Sequence, residues 1–185
     1  MRSNWIFRAS AARPGIARDK VLASHSPERD RAEKVKALKK GELMQKTFTI
    51  KTQGQGLYEF TGELREWVGM AGGGDGLLTL FIRHTSASLL IQENADRQVQ
   101  TDLRHYFQRL VPPATDPSMS YLTHTCEGPD DMPAHIKAAM MPVSLSIPVQ
   151  DAQMRLGTWQ GIYVFEHRDA PHARQVVADL RLGDA

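Results

Sequence analysis

The chain has 185 residues, 41% of them hydrophobic and 24% charged, with 14 glycines and 10 prolines. That balance belongs to an ordinary globular domain and excludes a collagenous or wholly disordered chain. No apolar run approaches the roughly 18 residues that span a bilayer, which argues against an integral membrane protein, and a single cysteine, Cys126, excludes an internal disulfide framework.

The formal net charge of +2 is unevenly divided. Residues 1–40 hold eleven Lys/Arg against four Asp/Glu, a net of +7, while residues 41–185 hold twelve against seventeen, a net of −5. The mildly acidic body argues against broad electrostatic capture of nucleic acid. Residues 1–43 read as a poorly ordered basic extension with a frayed helix near Asp30–Lys40, and residues 44–185 as the folded domain. The first 26 residues loosely resemble an organelle-targeting peptide; the blander alternatives are a tail without function or an early translation start. The lone cysteine fits a reducing compartment, so a cytoplasmic location is expected.

From Gln45 the pattern is dense. Phe48-Thr49-Ile50 begins a strand that Gly54 and Gly56 break. Tyr58–Gly69 reads as a helix with Phe60, Leu64 and Trp67 or Val68 inward. After the flexible run Gly72–Gly76, Leu77–Ile91 reads as one long buried strand. Asn94 is the expected N-cap of a helix to about Leu110, with Ala95, Val99, Leu103, Tyr106, Phe107 and Leu110 as its apolar stripe and Pro112-Pro113 ending it. A short helix follows from about Pro133 to Met141, then strands at Leu145–Val149, Gly157–His167 and Arg174–Leu182. Strands at both ends with helices between them predict an α+β domain of about 140 residues, enough for a real core.

Three polar clusters could carry chemistry. In the first, a strand period of two puts His84, Ser86, Ser88 and Gln92 on one face, leading to Glu93, Asn94 and Asp96; a solvated face with helix caps is the bland alternative. The second holds His124, Glu127, Asp130, Asp131 and His135. Asp131 and His135 stand four apart, on one helix face, and imidazole with carboxylate suits a divalent metal. Either aspartate could instead orient His135, or Asp131 could merely cap the helix. In the third cluster, Gln160, Glu166 and Arg168 share a strand face opposite Trp159, Tyr163 and Phe165. Glu166 and Arg168 suit a cross-sheet ion pair, and Arg168 with Arg174 would equally suit an anionic group. His25, His105 and His172 read as surface residues, and no nucleotide-binding or serine-hydrolase motif is present.

The runs HTSASLLIQENAD, YLTHTCEGPDDMPAHIK, LGTWQGIYVFEHR and RQVVADL resemble the YjbQ family, whose members are often labelled secondary thiamine-phosphate synthase enzymes. The resemblance runs from about Met44 to the C-terminus. It implies a β-sandwich-like, mostly antiparallel domain with two or three helices, assembled as a homotrimer. It also implies a weak, secondary thiamine-phosphate synthase activity, joining a pyrimidine diphosphate to a thiazole phosphate with release of pyrophosphate. On that reading His84, His124 and His135 bind a divalent metal, zinc or magnesium, in one pocket. Glu93, Asp130 and Lys137 are catalytic, and Ser86, Asn94, Gln160, Glu166 and Arg168 hold a small phosphorylated substrate. A ligand-binding or regulatory trimer without turnover, and a metal-dependent hydrolase, are the alternatives.

Overall fold

A computed structural model of the chain describes residues 43–183. The expected basic extension, apart from Leu43 at the start of the first strand, lies outside the described residues, as do its short helix and His25.

Two antiparallel sheets are built from eight strands among the described residues: β1 Leu43–Lys51, β2 Gly56–Glu59, β3 Gly76–Ile82, β4 Ala87–Glu93, β5 Ser144–Gln150, β6 Gln153–Met154, β7 Gln160–Glu166 and β8 Ala173–Leu182. The larger sheet has the order β1-β8-β3-β5-β6 and the smaller β2-β7-β4. Period-two apolar rows explain their packing. Leu78, Leu80 and Ile82 of β3, Ile147 and Val149 of β5, and Val176, Ala178 and Leu180 of β8 face Ala87 and Leu89 of β4 and Ile162 and Val164 of β7 in one core. Full burial of each aliphatic side chain contributes about 1.5–3 kcal/mol, so these rows hold the sandwich together. Gly76 is required where β3 meets β8, because a Cβ there would stand 2.1 Å from the Arg181 carbonyl oxygen.

Three helices complete the described fold: α1 Thr61–Gly69, α2 Arg97–Leu110 and α3 Asp131–Met140. The first inserts Phe60, Leu64, Trp67 and Val68 into the core, as expected. It begins later than the expected Tyr58, because Gly56–Glu59 pairs with β7 and the Phe60 amide continues that pairing to the Ile162 carbonyl at 3.0 Å. The expected single strand over Leu77–Ile91 is also corrected: β3 belongs to one sheet and β4 to the other. Residues Arg83–Ser86 cross between them, which breaks the strand period that placed His84 and Ser86 on a face with Ser88 and Gln92. The hairpin strand β6 escaped the sequence reading; Asp151 and Ala152, at φ 50° and 56°, form its two-residue turn.

The cap of α2 is Asp96, whose carboxylate accepts the Gln98 amide at 2.8 Å. Asn94, the expected cap, instead donates its amide to the Trp159 carbonyl and extends β4. Phe107 packs edge-on against Phe165 at 5.5 Å, on the outer face of the small sheet. Yet no α2 residue is buried, and Tyr106 and Leu110 point outward.

Candidate metal centre

The first turn of α3 gathers the second cluster. Its N-cap residue Asp130 makes no side-chain cap, and Asp131 does not cap the helix either. Asp131, only 2% exposed, sends one oxygen to His124 and His135 and the other to Arg168. His124 Nε2 lies 2.9 Å from Asp131 Oδ2, and His135 Nε2 lies 3.4 Å from the same oxygen, one helical turn away. The three ligand-type atoms lie within 4.8 Å of one another.

His135 has its tautomer fixed by the sheet crossover. Its Nδ1 lies 2.9 Å from the Thr85 carbonyl, which can only accept, so Nδ1 carries the proton and a neutral ring presents a bare lone pair at Nε2. That lone pair faces a carboxylate oxygen, an electron-rich pair that a cation or proton must bridge. Two imidazoles and one carboxylate, with the partly exposed histidines leaving an approach from solvent, fit a divalent ion with an open position. Borderline-soft zinc suits this donor set better than magnesium, which prefers oxygen. Thr85 and Arg168 then act as the supporting partners that orient ligands.

Arg168 braces this turn. Its Nε donates to Asp130 at 2.9 Å, one terminal nitrogen to Asp131 and the other to the Glu127 carbonyl at 3.0 Å. Burial opposes ionisation of Asp130, but the Asp169 amide and Arg168 outweigh it and hold its carboxyl below the usual range. The expected Glu166–Arg168 side-chain pair is corrected. Glu166, fully buried, takes Arg174 Nε at 2.7 Å and Thr52 Oγ1 at 2.7 Å, and receives only the backbone amide of Arg168 at 3.0 Å. Burial again opposes its charge, and Arg174 with these other donors overcomes it, so the carboxyl stays depressed. The two arginines are therefore both engaged by carboxylates, Arg168 by Asp130 and Asp131 and Arg174 by Glu166.

His84 does not join the other two histidines. Its Nε2 accepts the Gln175 amide at 2.8 Å, tying the crossover to β8, and burial followed by the Arg174 charge lowers its pKa. Ser86 lies beside it, its hydroxyl accepting from Arg174 at 3.2 Å. Glu93 and Gln160 pair at the opposite end of the β4–β7 ladder from Ala87 and Glu166. Six residues of strand separate Glu93 from Ala87, or roughly 20 Å. With Trp159 the pair lines a separate hollow of 320 Å³, and Asn94 follows directly. Lys137, on α3, is buried and turns toward Gln55, its Nζ 3.2 Å from Gln55 Oε1.

Asp131, four residues from His135, already stood in the metal-suited cluster, with orienting and capping roles as its alternatives. Two participants were missed. Thr52 carries no motif. His167 lies fully buried beside Phe165, 3.0 Å from the Ser88 hydroxyl, with its Nδ1 unpartnered among the described residues. Nothing in its spacing separates it from a strand-end surface histidine.

Known proteins share this sequence and fold. The family described as UPF0047 protein YjbQ-like matches residues 46–181. The UPF0047 protein sll1880 of Synechocystis is 47% identical over 136 residues, covering 74% of this chain and 90% of that protein. YjbQ of Escherichia coli O157:H7 is 40% identical over 138 residues, covering 74% and 96%. A solved structure of a yjbq/upf0047 protein from Clostridium acetobutylicum is 32% identical, covers 73% of this chain and 98% of that one, and superposes with a TM-score of 0.64. The fold, the quoted motifs and these relatives agree, and the chain belongs to the YjbQ (UPF0047) family.

Proposed function

We propose that this protein is a metal-assisted enzyme for small phosphorylated substrates, with a thiamine-phosphate synthase-type condensation as its assayable activity. The observation that carries the reading is the convergence of His124, Asp131 and His135 at an open edge of α3, with His135 fixed by the Thr85 carbonyl. A divalent ion held there supplies positive charge where pyrophosphate departs. Asp131 anchors the donor set, and Arg168 holds Asp130 and Asp131 in place rather than meeting substrate directly. In the condensation a bond forms to the thiazole phosphate as the bond from the pyrimidine to pyrophosphate breaks. The expected result is thiamine phosphate and pyrophosphate in equal amounts, detected by mass spectrometry with zinc-loaded protein. Replacing His124 with Ala should lower the rate at least a hundredfold. A wild-type reaction indistinguishable from the protein-free control ends the synthase reading.

A metal-dependent hydrolase is the second reading, favoured by the three-ligand geometry, which leaves room for a water. Release of inorganic phosphate from a phosphate ester, without any joined product, would select it.

The assembly in this reading is a homotrimer. Tyr163 is 1% exposed within its own chain and is not available to pack between subunits. Support comes instead from Trp159, which is 63% exposed, and from the outward Tyr106 and Leu110 on a helix that buries nothing. Light scattering at micromolar concentration should return three times the chain mass; a monomeric mass removes the trimer. A cytoplasmic setting belongs to the same reading, in keeping with the exposed thiol of Cys126. No helix among the described residues is long and apolar enough to cross a membrane.

A further inference from the structure

Arg97, Gln100, Thr101 and Arg104 recur at the spacing of one helical face, and α2 turns that face toward β2 and β7. Between helix and strands lies a cavity of 510 Å³, with Glu59 of β2 and Tyr163 of β7 on its far wall. The volume falls within the usual range for small-molecule sites, about 300–1,000 Å³.

The two guanidinium groups need an explanation. Arg168, Arg174 and Arg181 each meet a carboxylate, but Arg97 and Arg104 meet none among the described residues. Arg104 is half-buried in this wall, and no hydrogen bond among the described residues engages its five donors. The acid in the wall is committed elsewhere. Glu59 Oε1 accepts the Thr61 hydroxyl at 2.8 Å, and its charge lies against the Tyr163 hydroxyl. Burial, and then that charge, raise the Tyr163 pKa to about 12, so the phenol stays neutral and adds no negative charge to the cavity. Gln100 Nε2 lies 3.2 Å from the same hydroxyl and donates to it, which ties the helix face to the sheet. The cavity thus holds two unpaired planar cations, seven residues apart and so roughly 10 Å along the helix axis. A compact phosphate would have to draw both like charges to one point. A molecule with a carboxylate at each end lets them stay apart, and each guanidinium fork matches one planar carboxylate.

We propose that this cavity binds a short dicarboxylate, one carboxylate on Arg97 and the other on Arg104. The inference does not depend on the proposed condensation: the site shares no residue with His124, Asp131 and His135, and its ligand carries no phosphorus.

The test is calorimetric titration of the full chain with glutarate, butyrate and inorganic phosphate as separate probes. The protein is first freed of metal with EDTA and dialysed, so that a carboxylate has no ion to chelate. Glutarate should saturate, and should bind roughly tenfold tighter or more than phosphate or butyrate, which offers only one carboxylate. Arg97→Gln and Arg104→Gln should each weaken glutarate by roughly tenfold or more, the loss of one charged hydrogen-bonded contact. Arg97 is exposed, so its replacement leaves the fold intact and gives the result even where Arg104→Gln unfolds. Arg109→Gln, on the same helix but outside the cavity, should bind glutarate as the wild type does. Failure of millimolar glutarate to saturate, equal affinity for butyrate or phosphate, or wild-type affinity in Arg97→Gln would each overturn the proposal. Because no metal is present and no turnover is measured, these outcomes are separate from whether the condensation occurs.

Discussion

Acidification from pH 7.5 to pH 5 is expected to cost the folded protein about 2 kcal/mol through His167 alone. Burial, and secondly the charge of Lys137, push the pKa of this ring down to about 3. An unfolded histidine titrates near 6.5. Below that value the unfolded chain takes up a proton that the folded chain refuses, so stability falls with falling pH and the loss continues to about pH 3. Above 6.5 both states are neutral and the contribution is flat. Urea unfolding at the two pH values measures the difference, and His167→Gln isolates it. Glutamine can keep a nitrogen near the Ser88 hydroxyl but has nothing to titrate. The variant should lose about 2 kcal/mol less than wild type over the same interval. Equal losses in the two proteins would mean that His167 is protonated in the fold. The depressed carboxyls of Glu166 and Asp130 act in a lower window. Their stabilisation is complete above the ordinary carboxylate range of about 4 and is lost as the pH falls through their folded values.

Zinc at a hundred times its dissociation constant should stabilise the protein by about 2.7 kcal/mol, since it engages the folded donor set. For a domain of this size that is a rise in melting temperature of roughly 8 °C. EDTA should reverse it, and magnesium at the same concentration should produce a smaller shift because two of the three donors are imidazoles. His124→Ala and His135→Ala each remove one partly exposed ligand and should abolish most of the zinc-dependent rise while leaving the metal-free protein folded. His84→Ala should leave the rise intact, because that ring faces Gln175 and Arg174 instead. A full zinc shift in His135→Ala would dismiss the centre as drawn; loss of the shift in His84→Ala would mean that the third histidine is recruited after all.

The parts of the fold legible in the sequence were those with unbroken periodicity. The alternation in Leu145–Val149 and Arg174–Leu182, and the inward side of α1, appear in the structure where the pattern placed them. What the pattern could not express was a change of sheet. Arg83–Ser86 sits between two apolar strands without a glycine or proline to mark it, so period two was carried straight through and His84 was assigned to the wrong company. The short strand β2 was lost for a related reason: Tyr58 and Glu59 precede an amphipathic helix and fit its rhythm until the β7 pairing is known. In the candidate site, local spacing revealed Asp131 and His135, four residues apart. Longer connections were not visible. Arg168 reaches back nearly forty residues to Asp130 and Asp131, and Arg174 takes the glutamate that Arg168 had been expected to hold. Charge complementarity alone cannot choose among several acids and two guanidinium groups.

The crossover at Arg83–Ser86 gives the order of events during folding a chemical readout. Thr85 can hold His135 in its ligating tautomer only after β3 and β4 have settled into their separate layers. Nascent or partly collapsed chains therefore contain the donor residues without the preset lone pair, and capture of the ion would report a finished tertiary structure rather than the mere presence of histidines.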